Sequence, residues 1–399
     1  MSAEKENTEF AVVATEGWFD GERHHPESST FHIRQGRVAS IASGNYATTL
    51  AGQGIPVFQG GFLLPGLVDA HVHLFLDGAP TDGKLRSEHM KKSVEELTET
   101  ARLSARQSLN CGVTLVRDAG DRHGINHRVR GEAEQAPDLC RIRSGGSGIK
   151  REKRYGAFMA RDVADEAGIR ELVSGLARTS DEIKIILTGI IDFDAGAVTD
   201  EPQFTLDEAK LVVATAHGCG RKTFAHCSGI KGLSIAANAG VGSIEHGFFM
   251  DRETLGIMRD KQIAWTPTFC PVHFQWAHPE AVGWSANTVG HLRRILDGHA
   301  EHLRLAHDMG VPLLLGTDAG SMGVEHGYAL FDEIDRYLDA GIPLPNTLQA
   351  TTAAARRHFG MDHPLLCKNS LFAAVLLNQS PFTNIKALRE PVKVWKGWT

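Results

Sequence analysis

The sequence predicts an α/β fold: a parallel (β/α)8 TIM barrel with a small β-sandwich domain built from both chain ends. Three observations predict it. Between residues 62 and 364, apolar strand-like runs alternate eight times with helical segments, the pattern of a parallel sheet covered by helices. Polar side chains suited to chemistry stand at the C-terminal ends of several runs, where such barrels place their sites. Both chain ends carry short β-like pieces broken by Gly, Pro and Ser. The expected division is 1–61 with 365–399 for the small domain, and 62–364 for the barrel. A doubly wound open sheet is the alternative, but no GxGxxG follows a strand to support it.

In chain order, strands are expected at Phe10–Ala14, Thr30–Arg34 and Arg37–Ile41, as a small antiparallel sheet. The first barrel strand is Phe62–His73, an apolar run ending in two histidines. Side chains alternate along a strand, so His71 and His73 face one way, about 6–7 Å apart along the backbone. Helix Ser93–Asn110 leads to the second strand, Cys111–Asp118; Leu139–Ser144 is the third. Helices Val163–Ala177, Leu206–His217, Gly232–Ala239 and Glu253–Lys261 lead to strands Glu182–Leu187, Lys222–His226, Gly242–His246 and Ile263–Pro267. A long helix around Leu292–Met309 leads to the eighth strand, Val311–Asp318, and helix Ala329–Ala340 follows. Phe372–Leu377 and Val392–Trp395 return to the small domain.

Composition narrows the class. The 399 residues are 42% hydrophobic and 23% charged, ordinary globular values that accommodate a large domain and a small one. A net charge of −6 gives no basis for nucleic-acid or membrane attraction. The opening Met1–Asn7 is polar, not a signal peptide, and no run of about 18 apolar residues appears. Six cysteines without CxxC spacing read as reduced thiols of a cytoplasmic protein.

The polar residues at the strand ends are His71, His73, His226, His246 and Asp318, with Lys184 inside the fourth strand. Taken singly, each has an ordinary structural reading: a hydrogen-bonded core imidazole, a turn or helix cap, a paired lysine. Four imidazoles and a carboxylate at one rim are hard to satisfy without a metal, because buried polar groups need partners. Nitrogen and carboxylate donors suit zinc first, then iron, manganese or nickel.

Five motifs carry a resemblance over nearly the full length: Pro65-Gly66-Leu67-Val68-Asp69-Ala70-His71-Val72-His73, Glu182-Ile183-Lys184-Ile185, Ala225-His226, Ser243-Ile244-Glu245-His246-Gly247 and Gly316-Thr317-Asp318-Ala319-Gly320. The sequence resembles the amidohydrolase superfamily, most closely its prolidase-like branch, which shades into imidazolonepropionase-like proteins. The resemblance implies two divalent ions, zinc first. His71, His73 and Asp318 would bind the more buried one, His226 and His246 the second, with Lys184 carrying a carbon-dioxide-derived carbamate between them. A neutral amine is required for that, and burial in an apolar strand lowers a lysine pKa. Asp318, the carbamate and a bridging hydroxide would leave the pair of ions a residual positive charge. The hydroxide would attack an amide carbonyl, with Asp318 as the proton carrier. A homo-oligomer is also implied.

The substrate is a small molecule of less definite chemistry: an N-acyl amino acid, a dipeptide-like compound or a cyclic amide. Segment Ser147–Gly156 is basic and sits where relatives carry a glycine-histidine stretch, so Arg154 or Lys150 could pair with a substrate carboxylate, and Tyr155 is a further candidate for substrate contact. Ser228 stands where many dipeptidase relatives have an aromatic residue, and His273 lies in the seventh βα loop beside Trp276. The Asp362–Ala374 stretch departs from the Gly-Lys-x-Ala-Asp pattern of relatives. Competing readings are a lactonase or esterase on the same two-ion site, a one-ion deaminase or imidazolonepropionase-like enzyme, and a metal-bound scaffold without turnover. The region Phe224–Ser228 lacks the glutamate expected of the deaminases.

Overall fold

The computed structural model describes residues 9–397; the polar opening Met1–Asn7, expected not to be a leader, lies outside the described residues. The chain begins with β1 (Glu9–Phe19), β2 (His24–His25), β3 (Ser29–Arg34), β4 (Arg37–Ser43) and β5 (Val57–Pro65). It continues through β6 (Leu67–Val72), β7 (Val113–Asp118), β8 (Arg141–Ser144), β9 (Gly148–Arg151) and β10 (Ala160–Val163). Then come β11 (Glu182–Ile186), β12 (Lys222–Cys227), β13 (Ser243–His246) and β14 (Ala264–Thr266), and finally β15 (Ala373–Leu377) and β16 (Pro391–Lys396).

Strands from both ends form one seven-stranded sheet, ordered β16-β15-β5-β1-β3-β4 with β2 on β1. The three strands expected near the N-terminus do pair antiparallel, β1 with β3 and β3 with β4, while β5 adds to β1 in parallel and makes the sheet mixed. Alternate residues Val12, Phe31, Leu63 and Leu376 bury their side chains in one apolar cluster with Phe372. The remaining strands form two parallel sheets, β6-β7-β8 and β10-β9-β11-β12-β13-β14. Their buried runs are covered by helices such as Val94–Asn110 and Leu206–Gly218, each started by a capping box, Ser93 with Glu96 and Thr205 with Glu208. No helix among the described residues is long and apolar enough to cross a membrane.

Three local expectations change. The run from Phe62 is not one barrel strand: Phe62–Pro65 pairs in the mixed sheet, and Leu67–Val72 pairs with β7. Gly66 is the transfer point. Its N–H bonds the Ala373 carbonyl while the next N–H bonds that of Gly112. A Cβ at residue 66 would lie 2.2 Å from Thr114 Oγ1, so only glycine fits the crossing. The basic segment 147–156 is not simply a loop, because Gly148–Arg151 pairs with β10 and β11. The expected eighth strand is irregular. Segment 311–319 bonds β14 through Leu314 N to Trp265 O at 2.9 Å, and β6 through Ala70 N to Leu315 O at 2.9 Å. Asp69 takes the Thr317 N–H that a regular ladder would use, at 3.0 Å.

Candidate metal centre

The parallel strands bring the polar ends together. His71 is on β6 and His73 one residue beyond it. Lys184 is central in β11, His226 is near the end of β12, and His246 ends β13. Register places Ile186 opposite His226, and Cys227 opposite His246. The imidazole rings of His71 and His246 are 5.0 Å apart between centroids, those of His226 and His246 4.5 Å, and those of His71 and His73 5.6 Å. Asp318 arrives from segment 311–319.

His71, His73 and Asp318 place one ligand atom each within 4.8 Å of one another. Asp318 Oδ1 lies 3.6 Å from His71 Nε2 and 3.7 Å from His73 Nε2, too far for hydrogen bonds and suited to donors that share one ion. His71 Nε2 is buried and has no hydrogen-bond partner. The other nitrogens are held: His71 Nδ1 by Glu245 at 2.7 Å, His73 Nδ1 by the Gly120 carbonyl at 3.0 Å, His246 Nδ1 by Thr268 Oγ1 at 2.8 Å. Fixing one ring nitrogen aims the other. Asp318 Oδ2 accepts from Ser321 Oγ at 3.0 Å, which leaves Oδ1 toward the histidines.

Burial sets the protonation. It holds His71, His73 and His246 well below the usual histidine range and lowers His226 to about 3, with the Lys184 charge reinforcing all four. These are neutral imidazoles, the form that donates a lone pair. Lys184 is fully buried, and burial lowers it to about 8 against the opposing pull of Asp318 and Glu245. Its hydrogen bond is to a thioether, Met159 Sδ at 3.2 Å, a poor acceptor for a buried amine. Burial raises Asp318 to about 6 although Lys184 opposes it. The donor set fits a divalent cation: an orphaned imidazole nitrogen, a carboxylate and neutral rings all face one space.

Sequence reasoning assigned no role to Glu245 or Arg117, and both are structural to the centre. Arg117 donates to Glu245 Oε1 at 2.7 Å, to Ser243 Oγ at 3.1 Å and to the Ala70 carbonyl at 2.7 Å, all fully buried. The signal was present: an arginine inside Val113–Asp118 and a glutamate inside Ser243–His246 cannot stay buried unpaired. His246 and Asp318 also take left-handed backbone, φ 66° and 56°. That conformation costs energy for a side-chain-bearing residue and marks sites held by their surroundings.

Above the histidines is a cavity of about 200 Å³ lined by His73, His226, His246 and Asp318. Tyr155 and Ser228 are in its wall, as are Arg86, Phe158, Ile190 and Phe193. Arg154 and His273 are not among its lining residues: Arg154 bonds the Glu201 carbonyl and His273 pairs with Arg336 Nη1 at 2.5 Å. Lys150 is buried against Asp162 at 2.5 Å.

The sequence profile of the Amidohydrolase family matches residues 62–397. An uncharacterized protein of Mycobacterium tuberculosis is 30% identical over 323 residues, covering 80% of each chain. Ochratoxinase of Aspergillus niger is 25% identical over 397 residues, covering 91% of this chain and 79% of that one. In structure, a Xaa-Pro dipeptidase with bound methionine superposes with a TM-score of 0.81 at 22% identity, covering 96% of this chain and 97% of the other. The Aspergillus niger ochratoxinase structure gives 0.79 at 19% identity, covering 98% and 95%. At these identities the structural likeness establishes an α/β fold of parallel sheets.

Proposed function

Since this chain belongs to the amidohydrolase family, and is thereby a hydrolase acting on carbon–nitrogen bonds, we propose that it is a metal-dependent enzyme cleaving the amide bond of an N-acyl amino acid, a dipeptide-like compound or a cyclic amide. The observation that carries this reading is the cluster of His71, His73 and Asp318, with one buried imidazole nitrogen facing no protein partner. An unbonded buried polar atom is costly, and a cation removes the cost. In this reading the three hold one divalent ion, zinc first. His226 and His246 would hold a second, and Lys184 would contribute its charge as a carbamate. The eight-stranded barrel and the separate small domain belong to the same reading, supported by the bonds of segment 311–319 to both β14 and β6.

The cations would supply acidified water and a polarised carbonyl. The protein's own groups do the rest. Glu245 and Arg117 fix the ring of His71. Ser321 holds one oxygen of Asp318, and the other accepts the proton of the attacking water and returns it to the leaving nitrogen. The fully buried Lys184, with a thioether for a partner, is the amine most easily converted to an anion here.

The test is metal content followed by a turnover screen. Purified active protein should hold two divalent ions per chain, lose turnover of N-acyl amino acids or dipeptides on chelation, and regain it with zinc. One ion per active chain overturns the two-ion site. Hydrolysis confined to lactones overturns the amide assignment.

A further inference from the structure

The wall of the cavity has one strongly basic side chain. Arg86 is its single lysine or arginine, on the short helix Gly83–His89. Arg86 Nη1 donates to the Gly320 carbonyl at 2.7 Å, two residues beyond Asp318. That bond fixes the guanidinium beside the candidate centre and leaves most of its five donors unused. Among the described residues no carboxylate lies within ion-pair distance of Arg86, although the side chain is half-buried. The buried Arg117 has an acidic partner, Glu245 at 2.7 Å, and the buried Arg356, which has no carboxylate, is turned to the Gly66 carbonyl and Thr114 away from the cavity, so Arg86 alone brings an unpaired guanidinium to this wall. Much of the remaining wall is apolar, including Phe158, Ile190, Ile191, Phe193, Phe248 and Val272. The cationic alternatives nearer the sequence expectation are occupied: Lys150 by Asp162 and Arg154 by the Glu201 carbonyl.

We propose that Arg86 grips the carboxylate of the substrate, and that the substrate is therefore an open-chain amide with an anionic group on the amine side and an apolar acyl group. The inference rests on the amide reading above and selects among its three classes, favouring N-acyl amino acids over cyclic amides. Hydrolysis places the hydroxyl of water on the acyl carbon and its hydrogen on the nitrogen, and breaks the bond between them. The carboxylate stays unchanged throughout, an anchor for orientation.

The test uses two inert probes on the metal-loaded enzyme, 3-phenylpropanoate and 3-phenylpropan-1-ol, titrated calorimetrically against wild type, Arg86→Gln and Arg86→Lys. Arg86→Gln should cut the preference for the acid over the alcohol about tenfold or more, the loss of a charged hydrogen-bond pair. Arg86→Lys should fall between, keeping charge without the planar fork. An unchanged preference in Arg86→Gln overturns the proposal, because the acid is then held by the metals alone. Equal weakening of both probes also overturns it, since Arg86 then only shapes the wall through Gly320. If the preference collapses as expected while wild type cleaves no N-acyl amino acid, the anchor stands and the amide reading falls.

Discussion

The two halves of the candidate centre are built differently. On one side, His71, His73 and Asp318 are complete as encoded: three donors within 4.8 Å, with Glu245, the Gly120 carbonyl and Ser321 holding the atoms that do not face inward. On the other, His226 and His246 lie on the strands that follow the one carrying Lys184, whose side chain is fully buried and whose amine meets a thioether. In the proposed two-ion reading, the first half would need only a cation. The second would also need a carbamate charge that the twenty amino acids do not supply. A genome can specify the first half outright. It can specify only the conditions for the second, a buried amine with its pKa lowered to about 8.

That contrast can be broken or sharpened in four ways. The largest effect is expected from Asp318→Ala. Turnover should fall by about a thousandfold or more, as for loss of a general acid–base group, while circular dichroism stays native; retained turnover would remove Asp318 from the proton path. Next is Lys184→Ala. Ion content by mass spectrometry should drop from two per chain to one, and two retained ions would show the halves to be equally self-sufficient. Glu245→Gln should weaken metal affinity about 10–100-fold, the usual effect of loosening a ligand's support, measured by competition with a chelator.

The smallest lies outside both halves. Glu333 accepts the amides of Phe269 and Cys270 at 2.9 and 3.0 Å, and burial raises it from the ordinary 4.5 to about 7. The folded state therefore binds its proton more tightly than the unfolded state. Its stabilising share is full below about 4.5 and fades as pH rises through about 7. Thermal midpoints should fall over that window, and Glu333→Gln should flatten the slope. An identical slope in the variant would assign the effect to other carboxyls.

Much of the centre was legible because its residues sit in strands, where register converts sequence position into a common rim. Lys184, His226 and His246 come to one rim since parallel neighbours align Ile186 with His226 and Cys227 with His246, and His71 on the other sheet reaches them through its bond to Glu245 of β13. Less legible were features that depend on partners distant in sequence. Glu245 and Arg117 look like anomalies until 128 residues of separation close to a 2.7 Å bond. Arg86 lies on a short polar helix with no periodicity to mark it, and its bond to the Gly320 carbonyl, far away in sequence, fixes it at the cavity. The β5–β6 break falls at Pro65-Gly66, but apolar residues continue on both sides of that pair; hydrophobicity reports burial but not which sheet does the burying.

The crossing at Gly66 ties two positions into one inheritance. A methyl group there would come within 2.8 Å of Thr114 Cβ itself, so shortening the threonine to alanine makes no room. A lineage drifting from this sequence can gain a side chain at 66 only by first giving up its own at 114. Both steps pass through the strand pair that carries His71.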